Sequence, residues 1–155
     1  MIMGGSFVNT VDAAFVRSKR GCVSKVIRDI GSPSAYVQFP ALGDVVKMSG
    51  RTSGLKTNKV MTINAVVDVG YSNGCGSARF MNQVMTEPIN SGAASLPGDS
   101  GAPVVKIVGA SKIPVGLNFA GDGFLSVITP LPLVLSALGV QIDTKPDAPP
   151  AASCL

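Results

Sequence analysis

An octapeptide near the middle of the sequence, Leu96-Pro97-Gly98-Asp99-Ser100-Gly101-Ala102-Pro103, constrains the local fold more than any other stretch. Gly98 and Gly101 lack a Cβ, so the backbone on either side of Ser100 can adopt φ angles that turn successive N–H groups toward one point. A mainly apolar run over 104–108 follows, which predicts that the serine hydroxyl lies at the mouth of a buried strand. A hydroxyl beside clustered N–H groups is typical of a nucleophile with an oxyanion hole.

The other apolar segments are short and separated by turns, which favours an all-β fold. The chain has 155 residues, enough for one domain, and combines 46% hydrophobic residues with 18 glycines and 11 prolines. We predict a hairpin turn at 72–74 and strands over 23–30, 45–48, 59–71, 78–86, 102–108, 114–120 and 124–129. Pro130, Pro132 and Gly139 delimit a short helix over 133–138. The expected architecture is one antiparallel barrel of six or seven strands over 1–143, followed by a Pro/Ala-rich tail over 144–155.

Charge and composition argue against several classes of partner. The formal net charge is +4, but only Arg17, Lys19 and Arg20 cluster, and aromatic residues make up only 5% of the chain. A stacking platform for single-stranded nucleic acid is therefore missing. No apolar run approaches the length of a membrane span, and the N-terminus lacks the charged and apolar regions of a signal peptide. We expect no nucleic-acid partner, no membrane partner and, by default, a cytoplasmic location.

The three cysteines, Cys22, Cys75 and Cys154, lack the spacing of a zinc site, and the chain has no histidine to complete one. We therefore expect no metal and no cofactor. A Cys22–Cys75 disulfide and free thiols in a reducing compartment both remain open.

The segment 98–103, Gly-Asp-Ser-Gly-Ala-Pro, resembles the nucleophile motif of the trypsin-like (chymotrypsin-fold) serine proteases, with Ala102 where glycine or serine is commoner. Three more segments resemble the bacterial members of that family and occur in the same order. They are an aspartate segment, a Gly-Arg-Thr loop and a strand that lines the substrate cleft, here 9–14, 46–54 and 115–121. The resemblance is to the family's C-terminal half, and it implies a single Greek-key barrel with a short C-terminal helix.

The same resemblance implies a role for each residue of the candidate site. Ser100 is the nucleophile, and the turn Gly98-Asp99-Ser100 forms the oxyanion hole, chiefly through the N–H groups of Gly98 and Ser100. Asp12 is the triad carboxylate that orients a histidine and stabilises it once protonated. Asp99 is a buried anion in this fold, and in bacterial relatives the arginine of the Gly-Arg-Thr loop neutralises it. We therefore predict an Arg51–Asp99 ion pair, whose disruption costs about 3–5 kcal/mol.

The resemblance also places a specificity pocket beside the nucleophile. Ala94 and Ser95 form one wall, and Phe119, Ala120 and Gly121 form the other. Ala94 occupies the pocket floor, where an acidic residue would select lysine or arginine. The predicted substrate is a polypeptide with a small or apolar side chain at this position.

The absence of histidine removes the general base from the predicted triad. In this family the histidine comes from an N-terminal barrel, and only eleven residues precede Asp12. Without a base the Ser100 hydroxyl stays protonated at neutral pH, so we expect little or no peptidase activity from this chain alone.

Four interpretations of the missing base remain open. In the first, the chain is half of a two-barrel protease, produced as a fragment or from a split gene, and a histidine-bearing barrel completes it. In the second, it is a stand-alone barrel that forms a homodimer through its uncovered apolar face and acts in binding or scaffolding. A third interpretation makes a lysine the base, with Lys47, Lys106 and Lys112 nearest in sequence, although none lies in a segment suited to a desolvated amine. The fourth treats the Gly-Asp-Ser-Gly segment as a turn in an unrelated barrel, which the three other matching segments argue against.

Overall fold

Six strands close into an antiparallel barrel in the computed structural model, which describes residues 8–19, 21–71, 76–143, 145, 147 and 149. The strands are β1 (Val45–Gly50), β2 (Gly54–Tyr71), β3 (Gly76–Pro88), β4 (Pro103–Val108), β5 (Ser111–Gly121) and β6 (Ser126–Pro130). Their order around the barrel is β1-β2-β3-β6-β5-β4, with β4 pairing back to β1. This arrangement confirms the predicted all-β barrel.

The barrel core consists of inward-facing aliphatic side chains from all six strands. Successive side chains of a strand point to opposite faces. Val46 and Met48 of β1 therefore point into the barrel and are buried, whereas Val45 points outward and is exposed. One contiguous cluster fills the centre, made of Val46, Met48, Val60, Val84, Val104, Val115 and Ile128. Gly116 belongs to the same packing, because a Cβ there would lie 2.8 Å from the Thr129 carbonyl oxygen.

The β2–β3 hairpin is longer than the other strands. Its register shifts at three points between Val60 and Val67, and its last described pair is Tyr71 with Gly76. Asn64 and Asn82 have φ angles of 55° and 60°, the left-handed conformation that asparagine tolerates better than most residues. Tyr71 therefore lies at the far end of the hairpin. The predicted turn at 72–74 lies outside the described residues.

The predicted strand over 23–30 is wrong. Ile27 and Gly31 instead close a tight turn, with the Gly31 N–H donating to the Ile27 carbonyl at 2.8 Å and the Ile27 N–H donating back at 3.1 Å. Asp29 and Gly31 have φ angles of 61° and 104°, which a continuous strand cannot contain. Val23 and Val26 are more than half exposed, so the run is apolar without being part of the core.

Helix α1 (Leu131–Leu138) follows β6 directly and confirms the predicted short helix. Pro132 stands in the first turn, where its missing N–H has no intrahelical partner to lose, and Gly139 ends the helix at φ 63°. No helix among the described residues is long and apolar enough to cross a membrane. Asp147, in the partly described tail, accepts a 2.6 Å hydrogen bond from the Ser24 hydroxyl.

Cys22 is disulfide-bonded. Of the two interpretations left open by the cysteine count, the structure therefore supports a disulfide at this residue. Cys75 and Cys154 lie outside the described residues.

Candidate active site

Asp99 anchors the turn that carries Ser100. Its side chain is 1% exposed. The backbone N–H groups of Thr52 and Ser53 donate to Asp99 Oδ1 at 2.8 and 3.1 Å, and the Leu96 N–H donates to Oδ2 at 2.8 Å. Burial alone raises the pKa of Asp99, but the hydrogen-bonding groups of Ser53, Leu96 and Thr52 outweigh it, so the pKa lies below its usual value. The carboxylate therefore stays charged at neutral pH.

The predicted Arg51–Asp99 ion pair is not formed in the structure. The salt bridges among the described residues join Arg79 to Asp68 and Lys106 to Asp44. The Arg51 guanidinium lies beside Gly98 instead, where an added Cβ would come within 2.7 Å of it. The loop at 50–54 does hold Asp99, as the motif predicted, but it does so with backbone N–H groups. These donors satisfy the buried carboxylate and remove the need for a buried cation.

The turn that carries Ser100 has two backbone donors without an acceptor among the described residues. The N–H groups of Gly98 and Ser100 donate to no group among the described residues. The Asp99 N–H, in contrast, donates to the Leu96 carbonyl at 3.0 Å, so Asp99 does not contribute a donor to the predicted oxyanion hole. Gly98 has a φ of 99°, which a residue with a Cβ rarely adopts. The N–H groups of Gly98 and Ser100 are therefore the two donors of this turn that no described group accepts.

Ser100 lies beside an unpaired stretch of β5. Its hydroxyl is exposed and donates a 3.3 Å hydrogen bond to the Phe119 carbonyl. The ladder between β4 and β5 begins at Pro103 with Leu117, and Asn118 bonds to the backbone of Gly101 and Ala102. Beyond Asn118, β5 pairs with β6 on one side and with no described strand on the other. An extended peptide can therefore add to this edge next to Ser100.

A cleft of about 810 Å³ opens in front of this edge. Four of the five predicted pocket residues line it together with Gly98 and Ser100; these four are Ser95, Phe119, Ala120 and Gly121. The fifth, Ala94, is fully buried and does not line the cleft. Its carbonyl accepts a 3.0 Å hydrogen bond from the Asn58 amide. Ala94 therefore supports the wall from behind.

Asp122 also lines the cleft, and the sequence analysis did not identify it. Its Oδ1 accepts hydrogen bonds from the N–H groups of Leu125 and Phe124 at 2.7 and 2.9 Å. These bonds hold the pKa of Asp122 below its usual value. The turn over 122–125 follows the strand that the motif placed at the cleft, and an aspartate capping a turn was the only available sequence signal.

Asp12 lies near the end of the β2–β3 hairpin. Its segment docks on β3 through Asn9, which receives a 2.8 Å hydrogen bond from the Met81 N–H. The Tyr71 hydroxyl then donates a 2.7 Å hydrogen bond to Asp12 Oδ2. Tyr71 itself lines the cleft that contains Ser100. Asp12 is thus hydrogen-bonded to a tyrosine that lines the cleft containing Ser100, and the sequence analysis missed this tyrosine.

None of the three lysines considered as a base lines the cleft that contains Ser100. No lysine lines the cleft among the described residues. The Lys106 ammonium pairs with Asp44 at 2.6 Å, and the Lys112 ammonium lies 3.5 Å from the Ala110 carbonyl. Lys47 is in β1, opposite Val105. The lining of the cleft therefore does not support the lysine interpretation.

The barrel has the fold of bacterial chymotrypsin-like serine proteases. A glutamic-acid-specific serine protease superposes with a TM-score of 0.54 and 24% identity, over 90% of this chain and 63% of that chain. The Cellulomonas bogoriensis chymotrypsin gives a TM-score of 0.56 and 22% identity, over 76% of this chain and 59% of that chain. Thermobifida fusca protease A gives 0.55 and 24%, over 77% and 60% of the two chains. This chain thus spans less than two thirds of each. No family model and no curated protein matches the sequence.

Proposed function

We propose that this chain supplies the nucleophile, oxyanion hole and orienting carboxylate of a serine endopeptidase site whose histidine comes from a complementary barrel. The observation that carries the proposal is the pair of N–H groups at Gly98 and Ser100 that have no acceptor among the described residues, beside an exposed serine hydroxyl. Such donors lower a barrier only where negative charge develops on a substrate oxygen, as in attack on a peptide carbonyl. The chain contains no histidine, so the base must come from residues outside this chain.

The geometry supports acyl transfer in two halves. Ser100 Oγ attacks the peptide carbonyl carbon while its proton passes to the imidazole of the complementary barrel, and the carbonyl oxygen accepts hydrogen bonds from Gly98 and Ser100. The C–N bond then breaks, and the imidazolium gives its proton to the leaving amine. Water hydrolyses the acyl-Ser100 ester by the reverse proton path. Asp12 stabilises the imidazolium in both halves.

The cleft favours a small, uncharged side chain next to the scissile bond. Gly121 and Ser95 approach closely across it, since a Cβ on Gly121 would lie 2.9 Å from Ser95 Oγ. The same Cβ would lie 2.6 Å from the Leu125 carbonyl oxygen, so the neighbouring backbone leaves no room for a side chain at position 121. Asp122 lines the same cleft, but its Oδ1 is engaged by the N–H groups of Leu125 and Phe124. We therefore expect alanine or a similarly small residue at this position of the substrate.

Free imidazole can test the proposal on the purified chain. A fluorophosphonate reacts when Ser100 Oγ forms a bond to phosphorus, the P–F bond breaks, and the hydroxyl proton passes to a base. Without imidazole we expect slow labelling or none. With imidazole we expect an acceleration of about tenfold or more, because general-base assistance contributes about 10²–10⁴-fold in enzymes. Ser100→Ala must abolish labelling, and Asp12→Asn must remove most of the acceleration.

Two results contradict the proposal in different ways. Fast stoichiometric labelling without imidazole shows that the chain already holds a base. Equal labelling with and without imidazole, in a chain shown to be folded by circular dichroism, shows that Ser100 and Asp12 do not form half of a triad.

A homodimeric binding role is the second candidate. The observation in its favour is the number of large apolar side chains left exposed, including Phe15 and Val16 at 65% and 82%, on the segment that carries Asp12. Uncovered apolar surface of this kind marks interaction sites. Sedimentation equilibrium at several concentrations decides between the candidates. A stable species of twice the 15.8 kDa chain mass favours the homodimer, and a monomer favours a separate complementary barrel.

A further inference from the structure

We infer that Tyr71, which lines the cleft, is the positioning residue for Asp12 and holds its carboxylate so that one oxygen stays available to the incoming base. The inference rests on the proposed function and names a residue that the triad motif does not contain. Tyr71 does not react itself; it acts through Asp12.

The backbone before Asp12 is fixed, but the backbone after it is not part of any strand. Asn9 bridges to Phe80, and the Thr10 carbonyl accepts a 3.0 Å hydrogen bond from the Gln83 amide. From residue 11 to residue 19 the described chain forms no strand or helix. The Asp12 side chain therefore needs a contact of its own to keep a defined direction.

Tyr71 provides that contact. Its hydroxyl donates to Asp12 Oδ2 at 2.7 Å, whereas Oδ1 accepts no hydrogen bond from the described residues. An imidazole N–H needs one carboxylate oxygen, and Oδ1 remains for it. Tyr71 pairs with Gly76 as the last residue of β2, so a two-stranded ladder fixes its backbone.

The chemistry of the phenol fits a donor rather than a base. Burial, together with the hydrogen bond and the negative charge of Asp12, raises the pKa of Tyr71 above its ordinary value. Tyr71 therefore keeps its proton throughout the neutral range. It cannot accept the Ser100 proton, and its place in the cleft does not supply the missing base.

The labelling assay described above tests the inference when it is repeated on Tyr71→Phe. This variant keeps the ring and deletes only the donor. We expect the ratio of labelling rates with and without imidazole to fall about tenfold, because loss of orientation by about 1 Å can cost up to about 10²-fold. Tyr36→Phe is the matched control. Tyr36 is exposed and away from the cleft, and its hydroxyl bonds to Gln38 at 3.1 Å.

A double-mutant cycle separates positioning from a general structural role. In the Asp12→Asn background, Tyr71→Phe must cause no further loss of imidazole acceleration, since the two residues act as one unit. A purely structural effect adds to the Asp12 effect instead. A spectroscopic measurement adds a readout independent of activity. The ¹³Cζ resonance of Tyr71 at neutral pH must shift in Asp12→Asn, while that of Tyr36 stays in place.

The outcomes distinguish this inference from the proposed function. Imidazole acceleration that is equal in the wild-type chain and Tyr71→Phe overturns the role of Tyr71 and leaves the proposed function standing. An unchanged Tyr71 resonance in Asp12→Asn also overturns it. No acceleration in the wild-type chain overturns the proposed function and, with it, the role given to Tyr71.

Discussion

The most discriminating stability experiment compares Asp99→Asn with Arg51→Ala. An ion pair predicts that both substitutions destabilise the fold by about 3–5 kcal/mol, because each strands a buried charge. The structure predicts a strong asymmetry. Asp99 accepts three backbone hydrogen bonds at 2.8–3.1 Å, whereas Arg51 is exposed and forms no salt bridge among the described residues.

The magnitude follows from the donors that each substitution leaves behind. Asparagine keeps one carbonyl oxygen for Thr52 and Ser53 but turns an amide donor toward the Leu96 N–H. One charge-assisted hydrogen bond is lost and one buried donor is left unpaired, so we expect about 2–4 kcal/mol of destabilisation. Arg51→Ala removes an exposed side chain and is expected to cost about 0.5 kcal/mol.

The pH dependence of fold stability gives a second test of the role of the Asp99 carboxylate. The pKa of Asp99 is lower in the folded chain than its usual value of about 3.9. Its stabilising contribution is therefore complete above that value and is lost as the pH falls through the folded pKa. The wild-type chain must lose more stability between neutral pH and pH 3 than Asp99→Asn does.

Urea unfolding followed by circular dichroism measures both effects. Gly70→Ala serves as a reference substitution, because nothing lies within 4 Å of its added Cβ. Equal destabilisation by Arg51→Ala and Asp99→Asn refutes the backbone account of the turn. A loss below about 0.5 kcal/mol for Asp99→Asn refutes any anchoring role, since ordinary surface substitutions fall in that range.

Three further outcomes are expected. Gly50→Ala should destabilise the fold by at least about 2 kcal/mol in urea unfolding, because its Cβ collides with the Asp99 carboxylate and disturbs a buried hydrogen-bond network, while Gly70→Ala should change it little. Phe80→Ala should cost about 3–5 kcal/mol, since the ring is fully buried and its centroid lies 5.1 Å from that of Phe119 in the cleft wall. Thiol titration of the unreduced, urea-unfolded chain should find one thiol among the three cysteines, because Cys22 is disulfide-bonded; three thiols contradict this.

Local sequence patterns correctly predicted the strands whose pairing partner is close in sequence. The run over 59–71 and the return over 78–86 became β2 and β3, because β-branched residues around a tight turn favour a hairpin. The run over 23–30 has similar residues but pairs with no strand among the described residues. Strand formation there depends on a partner supplied by the whole fold, which the segment itself does not encode.

In the candidate site, too, features encoded by a local motif were predictable and features that depend on distant partners were not. Ser100 and Gly98 stand in one turn, so their mutual geometry follows from a short motif. Tyr71 and Asp122 reach the cleft from the ends of different strands, and only barrel closure brings them together. The Arg51 prediction failed because the choice between an ionic partner and backbone donors depends on how the loop at 50–54 faces Asp99, and residue types do not determine that.

The parts of the proposed site depend on contacts of different origin, which bears on how the site is controlled. The anchor of the oxyanion turn comes entirely from this chain, through the backbone of Thr52, Ser53 and Leu96. The Tyr71 contact to Asp12 is also internal. On the proposed function, association with a complementary barrel therefore has to deliver only the base, and it need not build the oxyanion hole. Association then controls proton transfer from Ser100, so the complementary barrel determines whether the site turns over rather than whether its turn is formed.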